Sequence, residues 1–444
     1  MKKISMEIVN PHAAGIDVGS KSHMVAVGQN EKSDVREFNV YTCGHEEMIV
    51  WLKEKSITTI AMESTGSYWQ TLFSALEEAG FELILVNGKQ IKNVKGKTDV
   101  MDCLWIQKLH SLGLLTGSFL PCEHISKLRT FYRHRCWLIE ESSKLTNKMQ
   151  KSLRLMNIRL DVAINDIMGK SGKRIIEAIL HGERDGDILA SLVDGRVKKS
   201  KEEIAKSLQG QWKEELLYEL MDCYQLYKYL SEKIVCCDKQ MEALLERNTS
   251  QSNNVPNTQL AKKQKGKNQI GFDLIKLSYL YYGVDLFEIE GLSYNTVMAI
   301  ISEVGTDIEK FKSSKQFVRW LRIAPNNKIS GGKLISSRTP KGKNSLAIAF
   351  RNAANTIERK KQGHLYSFFK RIAYKKGRGA AVTATARKIA VIVWNMCVKH
   401  ENYKPMDEMM YQKKIRDQII KNMQNKIRRL KVSFNELQIN PCFC

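Results

Sequence analysis

Four carboxylates are set apart by where they fall against the hydrophobic pattern. Asp17 lies at the end of the apolar run AAGIDV, just before Gly19 permits a tight turn. Glu63 follows directly on a second run, TTIAM, and leads into Ser64-Thr65-Gly66. Asp99 and Asp102 are spaced i, i+3 in what reads as the first turn of a helix. That spacing puts their Cβ atoms roughly 5–6 Å apart on one face. Clustered carboxylates repel unless divalent cations neutralise them, and an all-oxygen set suits Mg2+ or Mn2+. Two such ions about 3.5–4 Å apart activate an attacking oxygen and stabilise a leaving one during phosphoryl transfer. Each acid taken singly has a plainer use: Asp99 and Asp102 favour a helix N-terminus, and Asp17 makes a turn.

A second group of residues is basic and rich in turns. Gly291 and Gly305 bracket an apolar helix in IEGLSYNTVMAIISEVG, a form that offers backbone N–H groups to phosphate. Pro325, Asn326 and Asn327 make a loop, and Ser330-Gly331-Gly332 makes another. Arg338, Lys341, Lys343 and Asn344 then form a basic turn ahead of a helix that begins near Ser345. Together they read as a cradle for a DNA backbone, although on its residues alone Ser-Gly-Gly is a turn.

The elements that must position these groups fall into an α/β part and an α part. Three short strands, AAGIDV, HMVAVG and VREFNVYT, form a meander. EEMIVWLKEK, TTIAM, TLFSALEEAG and ELILV then alternate helix and strand, which predicts a mixed sheet with parallel members beneath helices. A basic connection, NGKQIKNVKGK, ends in Lys97, a further nucleic-acid contact, and a helix begins at Thr98. The acids therefore occur in the order strand-end Asp, strand-end Glu, helix Asp-x-x-Asp, as a ribonuclease-H-like sheet requires. Residues 8–125 form this domain. Residues 126–247 are long charged helix, and Leu216, Leu220, Cys223, Tyr227, Leu230, Ile234, Cys237, Met241 and Leu244 repeat with heptad spacing. This coiled-coil signal describes a strut between subunits or domains, or a hairpin folding onto its own first half. Residues 248–271 read as a flexible linker, 272–400 as a second, mainly helical domain, and 401–444 as a basic tail that tracks phosphate or lies solvated.

Composition agrees with a phosphate-rich partner. The 444 residues carry 71 Lys and Arg against 47 Asp and Glu, a net charge of +24. Such charge also serves solubility or an anionic membrane surface, but its spread over the whole chain favours nucleic acid. No signal-peptide core and no run approaching about 20 apolar residues is present, which predicts a cytoplasmic protein without a membrane partner. The ten cysteines show no zinc-ligand spacing and are expected as inert thiols.

The runs GIDVGSKSHMVAV, AMESTGSYW and VKGKTDVMDCLWI resemble the RuvC-like DEDD domain of the insertion-sequence transposases of the IS-one-ten type, the bridge recombinases. FEIEGLSYNTVMAIISEVGTDIEKF and FVRWLRIAPNNKISGGKLISSRTPKGKNSLAIAFRNAANTI resemble that family's second transposase domain. The resemblance covers most of residues 8–125 and 285–400. It implies a recombinase that cleaves and rejoins DNA, uses Asp17, Glu63, Asp99 and Asp102 to bind Mg2+, is guided by a structured bridge RNA and works as a homo-oligomer, dimer or tetramer. It further implies that Ser330 is the nucleophile, attacking a DNA phosphodiester to give a covalent phosphoserine. No histidine stands near Ser330 in sequence, so activation would come from the carboxylate domain of this subunit or another, with Lys333 or Arg338 neutralising phosphate. The family pattern favours a basic residue early in the following helix, where this chain has Ala347; Arg351, one turn on, is the substitute. Two other readings compete: a RuvC-like nuclease that uses the acids without Ser330, and a non-catalytic nucleic-acid-binding scaffold.

Overall fold

The computed structural model describes residues 7–28, 34–91, 98–249 and 268–430. Lys97, residues 250–267 of the expected linker and residues 431–444 of the expected tail lie outside them. Chain contacts divide the protein into two units, 1–120 and 121–444.

The first unit is built on the alternation of its strands. β1 (Ala13–Val18), β2 (Ser22–Val27) and β3 (Asp34–Asn39) form the antiparallel meander, and β4 (Thr59–Glu63) and β5 (Glu82–Val86) add parallel to β1 in the order β3-β2-β1-β4-β5. β3 stops short of the expected VREFNVYT. The Asn39 side chain accepts the Tyr41 N–H at 3.0 Å and turns the chain into α1 (Thr42–Glu54). Side chains alternate across a strand, so Ala14, Ile16 and Val18 share one face with Ile60 and Met62. There they pack on Leu52 of α1 and on Leu72 and Leu76 of α2 (Trp69–Glu78). The opposite face carries Ala13, Gly15 and Asp17 on β1 and Thr59, Ala61 and Glu63 on β4. The short α3 (Gly88–Ile91) and the long α4 (Asp99–Ser111) cover it, with Ala61, Val86, Ile91 and Ile106 as its apolar cluster.

In the second unit α5 (Glu123–Leu155) and α10 (Glu214–Arg247) run antiparallel. Near one end a fully buried Arg135 donates to Asp238 at 2.5 Å, and near the other Ser152 donates to Glu219 at 2.7 Å. Of the partners that the heptad pattern leaves open, α10 takes α5 of its own chain. Leu220, Cys223, Tyr227, Cys237 and Met241 of that pattern are buried. Between the two lie α6 (Leu160–Ala163), α7 (Lys170–Leu180), α8 (Gly186–Ser191) and α9 (Lys201–Ser207), gathered round one apolar core. The remainder comprises α11 (Leu274–Tyr282), α12 (Tyr294–Glu303), α13 (Ser314–Trp320), a hairpin of β6 (Lys328–Ser330) and β7 (Lys333–Ser336), α14 (Ser345–Lys360), α15 (Gly363–Lys376), α16 (Arg378–Lys399) and α17 (Glu408–Leu430). α12 is buried from Thr296 to Glu303, and Tyr132 and Arg133 of α5 hold its two ends through the Asn295 carbonyl and the Glu303 carboxylate.

One described helix, α16, is long and apolar enough to cross a membrane, with a mean hydropathy of 1.3. This amends the expectation that no such stretch exists. Here Ala386, Ile389, Ala390 and Val393 of α16 are buried, and the helix packs against α13, α14 and α15. Cys103, Cys223, Cys237 and Cys397 are buried free thiols.

Three histidines in the first unit carry a pH dependence. His23 and His45 are buried with their rings 5.5 Å apart, and His110 is buried with its Nε2 2.9 Å from the Thr59 hydroxyl. Burial lowers His23 and His110 to about 4 and also lowers His45. Unfolded, an imidazole takes up its proton near pH 6.5, so this stability is whole above that pH and is lost as pH falls from 6.5 toward 4. By pH 5 the loss approaches about 2 kcal/mol per imidazole held at the lower value. Thermal melts at pH 7.5, 6 and 5 should show the first transition moving steadily down; a pH-independent transition would mean that water reaches the rings.

Candidate functional site

Register sets the first two acids side by side. Ile16 stands opposite Met62 on the parallel strands β1 and β4, so one residue further Asp17 stands level with Glu63 on the face that α4 covers. Level positions on neighbouring strands are about 4.8 Å apart. α4 runs along β1 in the opposite sense. The Ser111 carbonyl accepts from Val9 and Asn10, the Gln107 side chain donates to the carbonyls of Ala13 and Gly28, and Gly15 lies against the backbone of Cys103 and Gln107. Continued by one helical turn, this pairing carries the first turn of α4, with Asp99 and Asp102, to the level of Asp17. Thr98 fixes the start of that turn, since its hydroxyl accepts the Met101 N–H at 3.3 Å, and the free N–H groups there favour negative charge.

The electrostatics of Asp17 report the convergence. Burial first, then the charges of Glu63, Asp99 and Asp102, push its carboxyl up to about 6, against a backbone hydrogen bond at Val18 that lowers it. Below it the Cys103 thiol is pushed up to about 12, chiefly by burial. Among the described residues no three Asp, Glu, His or Cys side chains are gathered tightly enough to hold a metal ion. The four acids thus share a field without closing into a ligand shell.

Gly15 is the positioning residue that sequence reasoning missed. A Cβ there would lie 2.2 Å from the Gln107 nitrogen and 2.6 Å from the Cys103 carbonyl oxygen, both backbone atoms of α4. Only glycine lets the helix bearing Asp99 and Asp102 sit this close to the strand bearing Asp17. A signal was available, because glycine inside a strand pattern marks a close backbone approach. Gly15→Ala is expected to destabilise the first unit by about 3 kcal/mol, the upper range for overpacking. Its transition should fall by roughly 10 °C. An unshifted melt would show that α4 does not bear on β1.

Ser330 lies at the tip of the β6–β7 hairpin, in the other unit. Gly331 and Gly332 have φ of 54° and 73°, the paired positive values of a type I′ turn. Ser330 pairs with Lys333 across that turn, both exposed. Among the described residues none hydrogen-bonds its hydroxyl. The neighbouring basic turn is anchored: Asn326 N–H donates to the Arg338 carbonyl at 3.0 Å and the Arg322 guanidinium to the Lys341 carbonyl at 2.8 Å, leaving Arg338, Lys341 and Lys343 exposed. Asn344 caps α14, its side-chain oxygen accepting the Ala347 N–H at 2.9 Å. Ala347 itself is buried, so a basic side chain there would point into the core; Arg351 is half-buried one turn on. The helix expected to offer N–H groups to phosphate is the buried α12, whose first turn is capped by Ser293 instead.

Residues 14–158 match the family model for the DEDD transposases of the IS110 type, a stretch that runs on through α5, and residues 285–370 match the transposase family IS116/IS110/IS902. Among curated proteins none matches the chain. With both of the family's modules present in order and together spanning just over half of its length, the chain belongs to the IS110 family of transposases.

Proposed function

We propose that this transposase cuts and rejoins DNA strands through two chemical stations, a RuvC-like, ribonuclease-H-like carboxylate set of Asp17, Glu63, Asp99 and Asp102, and a serine nucleophile, Ser330. The observation that carries this reading is the placing of Asp17 level with Glu63 under the first turn of α4. The donor set fits Mg2+ or Mn2+, since it is all oxygen, and a divalent cation would offset both the burial and the neighbouring charges that raise Asp17. Asp17, Glu63, Asp99 and Asp102 would hold the ion, which would supply positive charge to phosphoryl transfer. At the other station the Ser330 hydroxyl gives up its proton as its oxygen forms a bond to a DNA phosphorus, the bond from that phosphorus to a sugar oxygen breaks, and the departing sugar oxygen takes up a proton to leave as a hydroxyl. Lys333 and Arg338 offset the phosphate charge, and Lys341, Lys343, Asn344 and Arg351 hold the backbone. A bridge RNA and assembly into a homo-oligomer complete the reading, and Lys97 contacts nucleic acid.

Glu63→Gln tests it in a plasmid nicking and strand-transfer assay with Mg2+ titrated. Activity should fall about 10²- to 10³-fold, as when one oriented electrostatic group is removed from a site. DNA binding at fixed salt should persist. Full activity in this variant would remove the carboxylates from the mechanism.

A further inference from the structure

A cleft of about 600 Å³ opens at the base of the hairpin that carries Ser330, and among the described residues no aspartate or glutamate lines it. Three cations converge on it from two helices, Lys315 and Arg319 of α13 and Arg387 of α16, all exposed. Asn326, Asn327 and Pro340 of the basic turn also line it. Lys315 and Arg319 are spaced i, i+4, which puts their Cβ atoms about 5–6 Å apart on one helix face, and like charges at that spacing cost stability. At the start of α16, by contrast, Arg378 is clasped by Glu358 at 2.6 Å. Among the described residues none of the three cleft cations is paired with a carboxylate.

We infer that the cleft binds the phosphate backbone of the DNA strand presented to Ser330. The inference rests on the proposed serine chemistry for the identity of the strand, but the charge argument stands apart from it. Asn327 is three residues before Ser330 in an extended segment, about 10 Å of chain. That reach equals about three nucleotides of duplex rise at 3.4 Å each. A strand whose phosphates lie on Lys315, Arg319 and Arg387 therefore has a phosphodiester within reach of the hairpin tip. The amides of Asn326 and Asn327 add neutral hydrogen-bonding groups of the kind that position a backbone without reading bases. None of these three cations belongs to the turn of Arg338, Lys341 and Lys343, which adjoins the cleft through Pro340 and Asn326, so the cleft would extend the basic surface beside the nucleophile.

The test uses the full chain with Lys315→Gln, Arg319→Gln and Arg387→Gln combined, and measures affinity for a mixed-sequence DNA duplex and an RNA oligonucleotide between 50 and 200 mM salt. Each phosphate contact contributes about 0.9 to the slope of log affinity against log salt. The slope for DNA should become shallower by about 2.7, so that the wild type loses about 40-fold more affinity across that range than the variant. An unchanged DNA slope overturns the proposal, as does a loss confined to RNA. If the triple variant melts early, Arg387→Gln alone should still lower the slope by about one, and an unchanged slope in that single variant overturns the proposal equally. Ser330→Ala is the parallel arm and should keep the wild-type slope. If Ser330→Ala still cleaves, the serine chemistry fails, whereas the slope in the charge variant alone decides the cleft.

Discussion

Replacing Asp17 by Asn is expected to make the protein more stable and to silence it. The carboxyl is held at about 6 in the folded unit, against an ordinary value of 3.8. An acid raised by folding penalises the fold whenever it is ionised. Below about pH 4 both states are protonated and the penalty is absent; it grows as pH rises from 4 to 6 and is complete above that. Two pH units correspond to almost 3 kcal/mol at neutral pH. Asp17 is partly exposed, so about 1–2 kcal/mol is the sounder expectation. Asparagine keeps the shape and removes the charge, so the variant's first thermal transition should rise by several degrees at pH 7, and the gap should close by pH 4. Mg2+ should raise the transition of the wild type and leave the variant nearly unmoved, because a ligand that binds only the folded state stabilises it by mass action. Strand transfer should drop by at least about 10³-fold, the scale of losing a group aimed at developing charge. A variant less stable than wild type at pH 7, or a gap that persists at pH 4, would show that folding does not hold the Asp17 carboxyl above its ordinary value.

This coupling of stability and function explains which parts of the site were legible in the sequence. Strand periodicity put Asp17 and Glu63 at strand ends, and the i, i+3 spacing put Asp99 and Asp102 on one helix face; both are local properties that a linear pattern encodes. The level pairing of Asp17 with Glu63 follows from strand register, which depends on a parallel crossover through α1 and is not written in either strand alone. Gly15 stood in a strand pattern as a bare signal, and its meaning lay far along the chain, in the backbone of Cys103 and Gln107. The heptad stripe of α10 announced a partner without naming it, and within the chain that stripe packs against α5. Ala347 looked like a missing cation until its burial showed a position that faces the core. The cleft cations Lys315, Arg319 and Arg387 were lost in a chain carrying 71 basic residues, because only folding shows which of them have no acid beside them.

Ser330→Ala should abolish recombination more completely than any single carboxylate change. If the serine oxygen forms the bond to phosphorus, its removal leaves no route to a phosphoserine. Strand cleavage and joining should fall at least about 10⁴-fold, the scale seen when a nucleophile is deleted from a constellation that acts as a unit. The covalent protein–DNA adduct should vanish from denaturing gels at the same time. Nothing in the fold compensates or confuses this result. Ser330 sits at an exposed hairpin tip whose turn is set by Gly331 and Gly332, so the melt should stay within about 0.5 kcal/mol of wild type. DNA affinity and its salt dependence should be unchanged, because no charge is lost. A nuclease that used the four acids and water would instead keep Mg2+-dependent cleavage in this variant and never form the adduct. A scaffold without chemistry would show neither activity in the wild type. Asp17→Asn read beside Ser330→Ala therefore separates the stations: both should abolish strand exchange, but only the carboxylate variant should lose the Mg2+-induced rise in melting temperature.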